Sequence, residues 1–117
     1  MGYLVEFANQ RWLFPGDTRD YVAGRLPDLG AVDVLFAHLW LGRSCALLAE
    51  PPLLADFVRF CVDLRPRQII ITHLEEVGRS VEDYWDRHHA DQATGLLNRQ
   101  APGIEVRTLR IGDGIAF

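Results

Sequence analysis

The run Val32-Asp33-Val34-Leu35-Phe36-Ala37 is apolar almost without interruption. A strand with one wet face alternates apolar and polar residues. A near-continuous run suits a strand covered on both faces, the kind found in sheets flanked by helices. A second run, Gln68-Ile69-Ile70-Ile71-Thr72, is strongly β-branched and also reads as a strand. Between them Leu53, Leu54, Phe57, Val58, Cys61 and Leu64 recur at helical spacing. Pro51-Pro52 suits the start of that helix and Pro66 lies just past its end. Strand, helix and strand in succession make an α/β chain.

The remaining segments extend the pattern. Tyr3–Phe7 and Arg11–Phe14 around Ala8-Asn9-Gln10 read as a β-hairpin, and Pro15-Gly16 stops its second strand. Asp17-Thr18 therefore falls in the loop at that strand's C-terminal end. Arg19 to Leu26 forms a loose helical turn closed by Pro27. Ser80, with Asp83 in the first turn, is expected to cap a long helix. Its apolar face would carry Val81, Tyr84, Trp85, His88, Gln92 and Leu96, with His88 partly buried and His89 solvated, and Pro102-Gly103 would end it. Glu105–Leu109 reads as a strand, Gly112-Asp113-Gly114 as a turn and Ile115–Phe117 as a last strand. One α/β domain covers residues 1–117.

Composition narrows the function. With 49% apolar and 24% charged residues the chain is an ordinary globular sequence and not a disordered one. No apolar run approaches bilayer length and no secretory leader pattern opens the chain, so the expected location is cytoplasmic. The net charge of -4, without any basic run, argues against a nucleic-acid partner. All the basic residues are arginine, which excludes mechanisms that need a lysine. Cys45 and Cys61 are not a CxxC pair; Cys61, on a helix stripe, reads as a buried free thiol.

Three residues able to bind metal occupy one kind of place. Asp17, His38 and His73 each follow an apolar strand at its C-terminal end, and strand ends of one sheet share an edge. Carboxylate oxygen and imidazole nitrogen are ligands for zinc, iron or manganese. Each residue also has a plainer reading. An Asp after Gly can simply bond its own turn, and a His after a strand can be a hydrogen-bonded core residue.

Phe14-Pro15-Gly16-Asp17-Thr18, entered from a hairpin opening Gly2-Tyr3-Leu4-Val5, resembles the "GDT" element of the metallo-β-lactamase superfamily. Asp33-Val34-Leu35-Phe36-Ala37-His38 resembles the family's "DvLi" strand. Ile69-Ile70-Ile71-Thr72-His73-Leu74 resembles the strand that ends in "THL". The three elements in this order cover essentially the whole chain. The resemblance implies a sheet plus helices corresponding to about half of a four-layer αββα sandwich. It implies Asp17 as the carboxylate bridging two metal ions and His73 as the last histidine ligand. Thr18 would support a ligand through its hydroxyl, and His38 would support the site from behind the ligands. The implied chemistry is hydrolytic, with activated water attacking a small-molecule ester, lactone, thioester, amide or phosphodiester.

The departure from the family is the HxHxDH run and the further histidine before "GDT", which do not occur in these residues. A catalytic zinc takes three protein ligands and keeps a place for water. Asp17 and His73 supply two, so metal should bind weakly or not at all to this chain alone, and the chain alone should be inactive. One sheet face should also lie bare, lined by Trp12, Phe14, Phe36 and Trp40, and should need a partner. That partner would be the missing N-terminal half or a second copy. The expected origin is therefore a piece of a longer enzyme or a split subunit. Two other readings stay open: a non-catalytic interaction module on the same fold, and a receiver-type phosphorylation module. The second lacks the lysine such a mechanism requires.

Overall fold

The computed structural model describes residues 2–16 and 19–114. Asp17 and Thr18, and the expected strand at 115–117, lie outside the described residues. Five strands form one sheet: β1 (Tyr3–Phe7), β2 (Gln10–Phe14), β3 (Val34–His38), β4 (Gln68–Thr72) and β5 (Glu105–Thr108). They lie side by side in chain order. The β1–β2 pair is antiparallel and β2 to β5 run parallel. The hairpin turn at Ala8 and Asn9 uses φ of 51° and 63°, the left-handed pair that a tight two-residue turn demands.

Two helices, α1 (Leu54–Asp63) and α2 (Arg87–Gln100), connect β3 to β4 and β4 to β5. Parallel crossovers are almost always right-handed, and successive steps in one direction put their helices on the same face. Accordingly α1 and α2 touch each other. Phe57, Val58, Cys61, Ala93 and Leu97 from the helices join Leu13, Leu35, Ala37, Ile69 and Ile71 from the sheet in one buried cluster. The register explains the selection, because Leu13, Leu35, Ile69 and Val106 stand opposite one another across four strands and share one face.

The other face carries aromatic residues. Phe14 stacks on Phe36 with centroids 4.2 Å apart, Trp12 lies 5.8 Å from Phe36, and Phe7 meets Trp12 edge-on at 5.9 Å. These rings shield Val34 and Ile70, which are buried outside the helix-side cluster. No helix of the described residues covers the hairpin end of this face: Tyr3 is 63% exposed, Phe7 64% and Val5 40%. Trp40 differs from expectation. It packs against the helix-side core and belongs to the C-terminal edge of the sheet.

Asp33 fixes the start of β3. Its carboxylate accepts from the Arg11 amide at 2.7 Å, and its carbonyl accepts from the amides of Arg67 and Gln68 at 3.1 and 2.9 Å. One residue thus ties β2, β3 and β4 at their entry ends.

The second helix departs from the sequence reading. Val81–Asp83 is a single 3-10 turn, and the chain is extended again at Tyr84. The helix begins at Asp86, whose carboxylate accepts from the His88 amide at 2.9 Å, while the Asp86 amide donates to His89 Nδ1 at 3.1 Å. This is a capping box with histidine in the place usually held by Glu or Gln. The later start turns the helix by about one residue. His89 is buried, 5% exposed, and donates from Nε2 to the Ala46 carbonyl at 2.7 Å; His88 is exposed. The loose turn expected over Arg19–Leu26 is confined to a 3-10 turn at Ala23–Arg25. No helix among the described residues is long and apolar enough to cross a membrane.

Candidate functional site at the C-terminal sheet edge

The β3–β4 register brings His38 opposite Thr72 at the last rung of the ladder, and His73 follows directly. His73 adopts φ 71°, a left-handed conformation that costs a non-glycine residue about 1 kcal/mol or more. That turn folds its ring back over the strand ends. The imidazole stacks on that of His38 with centroids 3.7 Å apart and planes 19° apart. Two of the three residues singled out by sequence are therefore in contact. Asp17 and Thr18, at the end of β2, lie outside the described residues.

His73 is held through both ring nitrogens. Nδ1 lies 3.1 Å from the Leu39 carbonyl oxygen, which can only accept, so Nδ1 carries a hydrogen. Nε2 lies 2.6 Å from Glu76 Oε2. Arg79 closes the chain of contacts through Nε at 3.0 Å from the same oxygen. The Arg79 guanidinium first, and His73 after it, hold the Glu76 carboxyl below its ordinary range. Beside it, Glu75 also adopts a positive φ and pairs with Arg110, which lowers its carboxyl in the same way.

Beneath this edge the Tyr21 hydroxyl braces the strand exit. It accepts from the Trp40 amide at 3.1 Å and faces the carbonyls of Trp40 and His38 at 2.8 and 3.0 Å. A hydroxyl has one hydrogen, so it serves the two carbonyls in turn. Leu39 N donates to the Thr72 carbonyl at 3.1 Å, so the chain leaves β3 already tied to β4.

In front of His73 opens a cavity of about 300 Å³. Three arginines reach it from three separate loops: Arg19 after β2, Arg43 after β3 and Arg79 after β4. Trp40 and Trp85 form apolar wall, and the Arg19 guanidinium sits 4.7 Å over the Trp40 ring. Sequence reading passed over these arginines, Tyr21 and Glu76. They form no run and no spacing motif, and only the topology gathers them.

Imidazole chemistry suits a metal here in part. A histidine ligand usually donates its second N–H to a carbonyl or carboxylate, which fixes the tautomer. His73 has that arrangement through Nδ1 and Leu39. Its Nε2, the atom that would bind, is engaged by Glu76. Among the described residues no three His, Cys, Asp or Glu side chains stand close enough together to hold a metal ion. Both cysteines are buried free thiols, and burial raises the thiol of each, with the Asp83 charge adding to the effect at Cys45.

No protein-family model matches the chain, and no curated protein sequence matches it.

Proposed function

We propose that these residues are the C-terminal half of a metallo-β-lactamase-type hydrolase domain, incomplete alone, in which Asp17 and His73 act as metal ligands. The observation that carries this reading is the state of His73. It stands at the exit of a central parallel strand, its backbone is strained to turn the ring onto the sheet edge, and its Nδ1–H is pinned to a carbonyl. Holding Nδ1 as the donor would give Nε2 to a cation once its hydrogen bond to the Glu76 carboxylate is surrendered. The sheet, with helices on one face and an aromatic opposite face, supports correspondence to half of an αββα sandwich.

In this reading His38 buttresses the His73 ring by stacking, and Thr18 supports the Asp17 carboxylate. Glu76 guards Nε2 and must move aside or share the ion when metal enters. Zinc, or iron or manganese, would polarise the scissile group and lower the pKa of a water held there. Asp17 and His73 are too few ligands for a tight site, so the complementary N-terminal half or a second copy would complete it across the aromatic face. A second reading, an interaction module without metal, draws support from the engagement of Nε2 by Glu76 and from the same open face.

Metal analysis of the chain equilibrated with zinc, with Asp17→Ala and His73→Ala alongside, tests the proposal. Weak but saturable zinc binding that is lost in both variants supports it. A chain that takes up no zinc even in large excess, and is indistinguishable from its variants, leaves only the interaction module.

A further inference from the structure

The cavity beside His73 gathers three arginines in a chain whose net charge is -4. Among the described residues that line it, three guanidinium groups stand with one carboxylate, that of Asp83. Asp83 is itself occupied: one oxygen accepts from the Ser44 amide at 2.8 Å and the other from the Ser80 hydroxyl at 3.4 Å. Arg79 also pairs with Glu76 through Nε at 3.0 Å, which fixes its approach to the cavity.

The loop that bears Arg43 is tied down. Gly42 has φ 133°, and a Cβ there would lie 2.7 Å from Cys45 Sγ, so the loop bearing Arg43 has no room for another residue at that position. Ala46 N donates to the Glu82 carbonyl at 2.7 Å and binds this loop to the segment after β4. The Arg19 guanidinium lies 4.7 Å over the Trp40 ring, a cation–π contact that helps to hold it at the cavity. Convergent guanidinium groups on fixed loops recognise carboxylate and phosphate oxygens, because planar N–H pairs match two oxygens at once.

We propose that this cavity binds the oxyanion of a small organic ligand, a phosphate monoester or a carboxylate, between Arg43, Arg79 and Arg19, with its apolar part against Trp40 and Trp85. As a statement about substrate, this rests on the hydrolase reading: the anion would anchor the molecule whose labile bond faces His73. The volume of about 300 Å³ sits at the small end of ligand sites and suits a compact molecule rather than a polymer segment.

The test is titration of the chain with inorganic phosphate and, separately, with succinate, at ionic strength fixed with sodium chloride. Binding is followed by calorimetry and by the fluorescence of Trp40 and Trp85. Saturable binding of either anion above the chloride background is expected, and the tighter of the two identifies the class. Arg43→Ala should weaken it about tenfold, the loss of roughly one charge-assisted hydrogen bond, while Arg43→Lys keeps part of the affinity. Arg43 is exposed in a loop and its removal should leave the thermal midpoint unchanged, so it serves even if Arg79→Ala disturbs Glu76. No saturation by either anion, or equal affinity in Arg43→Ala, overturns the proposal. Anion binding in a chain that takes no zinc would retain the cavity and reject the hydrolase reading. Zinc held by Asp17 and His73 without anion binding would do the reverse.

Discussion

The imidazole of His73 lies flat on that of His38, the two ring centroids 3.7 Å apart. The strand register sets His38 opposite Thr72, one residue before His73, and the left-handed backbone at His73 brings the second ring onto the first. His38 therefore positions His73 through contact. His38→Ala should lower unfolding free energy by about 1–2 kcal/mol, the range of a lost ring pair with some packing. His38→Phe should restore most of it. Denaturant titration of the two variants measures this, and equal losses in both would show that the stack contributes nothing.

The aromatic face makes its own prediction. Tyr3 and Phe7 stand mostly in solvent at the hairpin end of a continuous apolar surface, and such surfaces mark interaction sites. The chain should associate with itself in light scattering or bind a hydrophobic dye. Phe7→Asp should reduce either signal while leaving the far-ultraviolet spectrum unchanged. A stable monomer that binds no dye would show that the face needs no partner.

The sheet and α1 were legible in the sequence because local signals were unopposed. Ile69–Ile71 admits little but a strand, and prolines bracket the helix that ends at Asp63. The start of α2 was not. Ser80 and Asp83 imitate a cap, but they close a single 3-10 turn, and Asp83 also serves the Ser44 amide of a distant loop. The true cap, Asp86 with His89, has histidine in an unusual role, so the helix face was read one residue out of phase and His88 was placed inside in place of His89. At the site, Asp17, His38 and His73 stood out as ligand-capable residues after strands. Glu76 and the three arginines did not, because their meeting depends on positive φ at His73 and on loops far apart in sequence.

The capping arrangement predicts a graded response. Asp86→Ala loses the cap and should cost about 1 kcal/mol. His89→Leu leaves both the buried Ala46 carbonyl and the Asp86 amide without their partner and should cost about 2 kcal/mol or more. Thermal or denaturant unfolding checks the order, and a smaller effect for His89→Leu would contradict the assigned contacts.

Glu75 and Glu76 predict how stability depends on acid. Arginine partners hold both carboxyls below their ordinary value of 4.5 in the folded state. A lowered folded value means the stabilisation is fully present above the unfolded value and is lost as pH falls from about 4.5 through the folded values. The thermal midpoint should decline over that range, and less steeply in Glu75→Gln and Glu76→Gln. Parallel declines in all three proteins would remove these pairs from the explanation.

The most direct test of the account is the nitrogen resonance of the His73 ring during a zinc titration of the chain. The prediction is that Nε2 moves to a metal-coordinated position while Nδ1 keeps its hydrogen and its bond to Leu39. An Nε2 that remains on Glu76 in excess zinc would contradict the assignment of His73 as a ligand.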